Sequence, residues 1–254
     1  MRAQSRTASR REHDTAPGDP TVVHCHVRPH RTRRLPRGSC ATHTVAVKRV
    51  FLLSPASCTG KRTAMLLRDG AGFPLARALR TPAGAPIADV FQFTSGLYFR
   101  GKVTYARAFA DPPAGAPAML VITSARGLIG PDSPITTTDL RRFAAVPIAT
   151  SSGVYRRALI RSAQRLERML SADAAIILLG SIASGKYADL LLDVFGERLL
   201  FPAAFVGRGD MSRGGLMLRA AESGDELAYA ALAGAQRHGP RPPRLAPLRK
   251  AQRS

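Results

Sequence analysis

The residues of this sequence that are best suited to chemistry are glycines, basic side chains and nucleophiles that follow short apolar runs. Residues 180–186, GSIASGK, have the spacing of a phosphate-binding loop, in which backbone N–H groups and a lysine hold phosphate oxygens. The next position should be serine or threonine, whose hydroxyl binds Mg²⁺, but it is Tyr187. No apolar run of the sequence ends in the aspartate that such sites also use. The loop therefore predicts an anion contact for Lys186 more strongly than it predicts a nucleoside triphosphatase.

The apolar run at residues 49–54 is followed by Cys58, Gly60 and Lys61. In open α/β sheets, ligands bind at the carboxyl ends of the strands, where loops and helix N-termini converge. A cysteine beside cationic side chains has a lowered thiol pKa, so Cys58 is a candidate nucleophile next to Lys61. A small buried cysteine in a turn is the alternative interpretation.

Two further glycine-containing segments extend this pattern, one after the apolar run at 118–123 and one at residues 207–215. The side chains that are candidates for catalysis are Cys58, Ser124 and Asp210. The basic side chains predicted to contact phosphate or another anion are Lys61, Lys186, Arg208 and Arg213. The backbone amides predicted to approach that anion closely are those of Gly60, Gly127, Gly207 and Gly209, because glycine has no side chain to hold the ligand away.

Apolar runs and helical periodicity predict the elements that position these residues. The predicted strands are residues 49–54, 118–123, 174–179 and 198–202, with an edge strand at 227–232. The predicted helices are residues 74–80, 95–110, 136–143, 153–170, 187–195 and 211–221, the second of them capped by Ser95. This alternation predicts an α/β fold, a three-layer Rossmann-like sandwich with a mostly parallel sheet of about four to five strands.

Two helical stripes have both a structural and a ligand-binding interpretation. The stripe on the helix at 95–110 consists of Tyr98, Lys102, Tyr105 and Phe109, which suits core packing or a platform for base stacking. The stripe on the helix at 153–170 consists of Arg157, Arg161, Arg165 and Arg168, which suits a solvated face or contact with a phosphate backbone.

The charge of the chain is strongly positive, with a formal net charge of +21 at pH 7. More than half of this excess lies in residues 1–46 and 237–254. A general preference for arginine is one interpretation, and a nucleic-acid partner is the other.

Composition also divides the chain into three parts. Residues 1–46 lack an apolar pattern and are predicted to be a disordered basic extension or a non-native start, ahead of a single α/β domain at 47–236. Residues 237–254 are rich in proline and arginine and are predicted to form a disordered tail.

The three cysteines form no disulfide framework, which favours a cytoplasmic protein. No apolar run is long enough to predict a membrane span. The histidines and cysteines of 1–46 match no zinc-site spacing, so no metal is predicted.

Three segments taken in order carry a family resemblance: LLSPASCTGKR, VITSARGLIGPDSPI and GKYADLLLDVFGERLLFPAAFVGRGDMSRGG. They resemble uncharacterised bacterial α/β families of unknown function, which are distantly similar to the peroxide-stress protein family. They are also similar to the uracil-DNA-glycosylase-like domains of archaeal tRNA-guanine transglycosylases. The resemblance implies a Rossmann-like domain with nucleobase or nucleic-acid chemistry, but no Asp or His is placed for glycosidic cleavage. The matching residues are Cys58, Lys61, Ser124, Gly127, Lys186 and Tyr187, and Tyr187 is therefore also predicted to contact the ligand.

The leading hypothesis is a protein that binds a nucleotide, a nucleobase or a nucleic acid where the turns after the strands meet residues 207–215. An enzyme that acts on a small anionic metabolite, with Cys58 as nucleophile, is the main alternative. A nucleoside triphosphatase at residues 180–186 and an interaction protein without a catalytic site are the remaining ones. The sequence specifies neither a cofactor nor an oligomeric state.

Overall fold

The computed structural model describes residues 47–246 of the chain. The predictions for residues 1–46, including those for Cys25 and Cys40, lie outside these residues, as does the part of the predicted tail from 247 onward. Within residues 47–246, no helix has the combination of length and apolarity that crossing a membrane requires.

Eight strands lie in the described part of the chain, and six of them form one mixed sheet. The strands are β1 Arg49–Leu53, β2 Ala85–Pro86, β3 Met119–Thr123, β4 Gly127–Ile129, β5 Pro134–Ile135, β6 Ala175–Leu179, β7 Leu199–Pro202 and β8 Tyr229–Ala231. The sheet order is β4-β3-β1-β6-β7-β8, with the four central strands parallel and both edge strands antiparallel. Strands β2 and β5 form a separate antiparallel pair. The fold is therefore mixed α/β with a mostly parallel sheet.

The sheet is larger than the predicted four to five strands because the chain turns back after β3. The segment predicted to be a glycine turn forms the hairpin partner β4, which begins at Gly127 with a φ of 69°. This left-handed conformation favours glycine and lets the chain reverse at once. The five predicted strands, which begin at residues 49, 118, 174, 198 and 227, are all present. Their observed bounds differ from the predicted ones by one or two residues.

Eight α-helices connect these strands within residues 47–246. They are α1 Lys61–Leu67, α2 Pro74–Arg80, α3 Ile87–Ser95, α4 Leu97–Phe109, α5 Thr137–Ala145, α6 Gly153–Glu167, α7 Ala188–Phe195 and α8 Asp210–Ser223. The single helix predicted at 95–110 was wrong at its start, because Ser95 ends α3 instead of capping α4. The two helices are separated by Gly96, whose φ of 60° interrupts helical geometry.

Helices cover both faces of the sheet, because successive side chains of the central strands point in opposite directions. On one face, Phe51 and Ile177 pack in a core with side chains of α3, α4 and α8. On the other face, Val50 and Ile176 pack in a second core with side chains of α6 and α7. Burial on both faces explains why these strands are continuous apolar runs.

Helices α4 and α8 touch through their backbones at Gly101 and Gly214. A Cβ atom at Gly101 would lie 2.7 Å from the Gly214 oxygen, and one at Gly214 would lie 2.8 Å from the Tyr98 Cα. These distances leave no room for any side chain at the crossing. The contact fixes the position of α8 relative to Tyr98 and the residues that follow it on α4.

We expect Gly214→Ala to destabilise the protein by about 1–3 kcal/mol, because the added methyl group overpacks a backbone contact. Gly215→Ala is the matched control on the same helix. Its Cβ would meet only the flexible end of Leu245, at 3.3 Å, so its effect should stay below about 1 kcal/mol. Urea unfolding of both variants measures the difference, and equal stabilities would contradict the close crossing of α4 and α8.

Candidate functional site

A buried polar cluster lies at the carboxyl end of the central strand β1. We call it the Lys102 centre, and its members are Ser54, Tyr98, Lys102, Tyr187 and Arg213. Ser54 directly follows β1, and Tyr98 and Lys102 lie one turn apart on α4. Tyr187 directly precedes α7, and Arg213 lies in the first turns of α8. All five residues are at least nine-tenths buried.

Lys102 is the innermost charged group of this centre and has no exposed surface. Its Nζ donates hydrogen bonds to Ser54 Oγ at 2.6 Å and to the Ser54 carbonyl oxygen at 2.9 Å. The same nitrogen lies 3.9 Å from the centre of the Tyr98 ring, a cation–π contact. Burial lowers the pKa of Lys102 to about 7, with Asp210 acting against this shift and Arg213 adding to it. The amine is therefore partly neutral at physiological pH.

Arg213 extends from α8 toward the same place and is held by main-chain and side-chain acceptors. Its Nε and Nη2 donate to the Phe205 carbonyl oxygen at 3.2 and 3.1 Å, and its Nη1 donates to Asp210 Oδ1 at 3.3 Å. The Asp210 side chain is 66% exposed, whereas that of Arg213 is 8% exposed. Two of the residues predicted from the glycine-rich segment at 207–215, Arg213 and Asp210, are thus brought together as an ion pair.

Tyr187, a predicted ligand contact, packs against the centre from α7. Its hydroxyl lies beside Ser54, and a Cβ atom on Gly180 would come within 2.9 Å of that hydroxyl. Burial raises the pKa of Tyr187.

The loop at residues 180–186 leads from β6 to α7 without forming a helical turn at its lysine. Lys186 is exposed, and its backbone N–H donates to the Ser184 carbonyl oxygen. Helix α7 begins only at Ala188. In a phosphate-binding loop the lysine opens the helix, so this geometry gives the nucleoside triphosphatase hypothesis no support.

Ser124 and Gly127 make packing contacts with other elements. The Ser124 hydroxyl is buried and donates to the Phe143 carbonyl oxygen at 2.9 Å. A Cβ atom on Gly127 would overlap the Ala158 carbonyl oxygen and the Ser162 hydroxyl of α6. Glycine is required at position 127 because α6 packs closely against it, and not because a ligand does.

Cys58 lies half-buried in the loop between β1 and α1, followed by the exposed Gly60 and Lys61. Its thiol faces the Ala56 carbonyl oxygen at 3.7 Å. Burial raises the pKa of the Cys58 thiol to about 12, whereas the neighbouring cations led us to expect a lowered pKa. Desolvation outweighs those neighbours, because the charge-bearing ends of exposed side chains are screened by water.

We expect iodoacetamide to modify Cys58 at pH 7.5 more than about 100-fold more slowly in the native protein than in urea, because the thiolate is the reactive form. The native rate should keep rising with pH beyond 9, where an ordinary thiol levels off. Mass spectrometry of the peptide that contains Cys58 measures both rates. Similar rates in the native and unfolded protein would contradict the raised pKa.

A basic cavity of about 420 Å³ lies against the outer side of α8. We call it the arginine pocket, after the four arginines that line it: Arg208, Arg219, Arg241 and Arg244. Gly209, which precedes α8, and Met211, Ser212 and Gly215 on α8 also line the cavity, and none of its lining residues is acidic. Arg208 is held by Ser212 Oγ at 3.2 Å and by the Pro243 carbonyl oxygen at 3.3 Å.

Residues 237–246, the first part of the predicted tail, form the other wall of this pocket. They carry no regular secondary structure. Arg237 pairs with Asp189 at 2.5 Å, and the Pro240 carbonyl oxygen covers Gly207 so closely that no side chain fits there. Gly207 was predicted to let an anion approach its backbone amide, but the group that lies close to Gly207 is the Pro240 carbonyl oxygen.

A second cavity, of about 650 Å³, lies between β4 and α6. Arg126, Arg161 and Arg165 line it, and the last two belong to the arginine stripe predicted on this helix. Arg126 is partly neutralised by Asp139 at 3.8 Å.

Several residues of these two sites were not predicted from the sequence. In the Lys102 centre they are Ser54 and Lys102, and the only signal was the placement of Lys102 on the same helical stripe as Tyr98. In the arginine pocket they are Arg219, Arg241 and Arg244, and the last two lie in the predicted tail. No three histidine, cysteine or carboxylate side chains come together as a metal site in residues 47–246.

No protein-family model matches this chain, and no curated protein or solved structure matches it either. The resemblance to families of unknown function therefore stays a prediction.

Proposed function

We propose that this protein binds a phosphate-bearing ligand, a nucleotide or a nucleic-acid strand, in the arginine pocket. The observation that carries the proposal is the set of four arginines around one cavity whose lining contains no carboxylate. Uncompensated arginines in a concave surface attract anions, and a nucleic acid releases its condensed counterions when arginines neutralise its phosphates.

The chemistry of arginine favours phosphate among anions. The planar guanidinium group presents paired N–H donors that match two phosphate oxygens. Arg208 supports such a contact because Ser212 and Pro243 already hold its side chain, which lowers the entropy cost of binding. Arg241 and Arg244 are exposed and provide further positive charge at the mouth of the pocket.

The wider hypothesis includes a three-layer, Rossmann-like domain in the cytoplasm. Its support is the hydrophobic core on each face of the mostly parallel sheet and the absence of a disulfide framework in the cysteine pattern. The arginine pocket adjoins the first turn of α8, where the helix dipole also favours an anion.

The enzyme alternative, in which Cys58 attacks a small anionic metabolite, has less support. The raised pKa keeps the Cys58 thiol protonated, and the Ser124 hydroxyl already donates to a main-chain carbonyl. The Asp210 carboxylate already forms an ion pair with Arg213.

We expect the double variant Arg241→Gln/Arg244→Gln to bind a fluorescent single-stranded oligonucleotide more weakly than the unaltered full chain. The slope of log affinity against log salt should become shallower by about 0.7 for each phosphate group that the variant no longer neutralises. Fluorescence anisotropy across salt concentrations measures both quantities, and competition with a mononucleotide distinguishes a nucleotide site from a strand-binding site.

The double variant Arg141→Gln/Arg142→Gln is the matched control, because it removes the same charge from two exposed positions on α5. An equal decrease in affinity in both double variants would mean that net charge, and not the arginine pocket, determines binding. That result would overturn the proposed function.

A further inference from the structure

The Lys102 centre holds two basic side chains, and no carboxylate of residues 47–246 is buried beside them. Lys102 has no exposed surface and Arg213 is 7% exposed, so both basic groups are removed from water. The carboxylate that acts on both of them is Asp210, whose side chain is 66% exposed. Buried charges are ordinarily paired with buried partners, because an unpaired charge gives up its hydration without compensation. This centre instead pairs Arg213 with a carboxylate that is largely exposed to solvent.

The Tyr98 hydroxyl supplies a second, independent observation. Tyr98 is 6% exposed, and its hydroxyl lies beside Arg213 but makes no hydrogen bond of ordinary geometry within residues 47–246. Burial raises the pKa of Tyr98, and the adjacent Arg213 acts in the opposite direction. A buried hydroxyl without a partner costs free energy, so its retention beside a buried guanidinium suits a ligand that accepts from both.

The position of Asp210 shows where such a ligand would lie. Asp210 is the first residue of α8, a helix of 14 residues, and its carboxylate accepts from Arg213 Nη1 at 3.3 Å. The first N–H groups of a helix have no acceptor within it, and the helix dipole adds positive potential there. The Asp210 carboxylate therefore lies at the start of α8 and beside the Arg213 guanidinium, two features that also attract an external anion.

We propose that the Lys102 centre binds a small tetrahedral oxyanion of the sulfate or phosphate class, which replaces the Asp210 carboxylate at Arg213 and accepts a hydrogen bond from the Tyr98 hydroxyl. This site is distinct from the arginine pocket, whose lining does not include Arg213. The proposal does not depend on nucleic-acid binding.

Protonation of Lys102 should be coupled to this binding. The groups that face Lys102 are Ser54 beyond β1, Tyr98 and Phe99 on α4, and Asp210 and Arg213 on α8. Burial lowers the pKa of Lys102 to about 7, so a large fraction of the amines is neutral at pH 7.5. An anion favours the charged form of a neighbouring amine, so binding should take up a fraction of a proton and weaken as the pH rises above 7.

Calorimetric titration of the full chain with sulfate, at constant ionic strength set by NaCl, tests the site. Sulfate is the probe because it does not titrate near neutral pH. We expect saturable binding, and heats that differ between Tris and HEPES at pH 7.5 because a proton is taken up. Tyr98→Phe should weaken binding about tenfold, since it removes a hydrogen bond to an anion. Without sulfate, this variant should unfold at the same temperature as the unaltered protein or a higher one.

Asp210→Asn is the complementary variant and should bind sulfate more tightly, because it removes the competing charge. Arg141→Gln/Arg142→Gln is the control, because it removes two exposed positive charges on α5, and its sulfate affinity should be unchanged. Sulfate stabilises most proteins by exclusion from their surface, so the readout is the difference in affinity between variants and not a rise in melting temperature.

Equal sulfate affinity in the Tyr98→Phe variant and the unaltered protein would overturn the proposal, as would the absence of saturable binding. If Tyr98→Phe does not fold, Asp210→Asn decides: an affinity no higher than that of the unaltered protein overturns it. Competition by adenosine monophosphate, weakened by Tyr98→Phe, would identify a nucleotide phosphate as the source of the anion. Sulfate binding without such competition would identify a free oxyanion.

Discussion

The structure depends on a backbone contact between α4 and α8, where Gly101 and Gly214 meet without intervening side chains. Because the two helices approach this closely, Tyr98 and Lys102 on α4 lie within interaction distance of Arg213 on α8. The same contact fixes where α8 begins, and therefore where Asp210 and the arginine pocket lie. A larger residue at either glycine would separate the groups of the candidate site as well as the two helices.

Helix α8 presents different chemistry on its two sides. Toward the sheet, Arg213 joins a buried centre in which desolvation of Lys102 and of Tyr98 is the dominant electrostatic effect. Toward solvent, Arg208 and Arg219 line an open cavity with two arginines from the chain beyond β8. Both sides carry positive charge, and the side chains close to the start of the helix add to the field of its dipole. Anion recognition is the chemistry that the two sides share.

The sheet could be predicted from the sequence because its central strands are buried on both faces and are therefore continuous apolar runs. Helix α2 was predicted with its observed bounds, since Pro74 marks its first residue. Two features were not predictable from local pattern. The helical pattern was recognised only from Ser95 onward, so α3 and the break at Gly96 were missed, and α1 has only two buried residues, Thr63 and Leu66, to mark it as a helix.

The candidate site was predicted only in part, for a related reason. Residues 207–215 stood out because glycine and charge are concentrated there. Arg213 does lie in the Lys102 centre, and Arg208 does line the arginine pocket. Lys102 did not stand out, because a lysine on an aromatic stripe gains its significance only when tertiary packing buries it. Likewise, Arg241 and Arg244 belong to a segment without periodicity, and only its contacts with α8 bring them to the cavity.

The most direct test of the proposed function is crosslinking of a photoreactive single-stranded oligonucleotide to the full chain, followed by mass spectrometry of the crosslinked peptides. The oligonucleotide should crosslink to peptides from residues 206–219 and 239–246, which surround the arginine pocket. An excess of unlabelled oligonucleotide should abolish these crosslinks. Crosslinks confined to residues 1–46 would contradict the account, because binding would then reside in the basic extension and not in the folded domain.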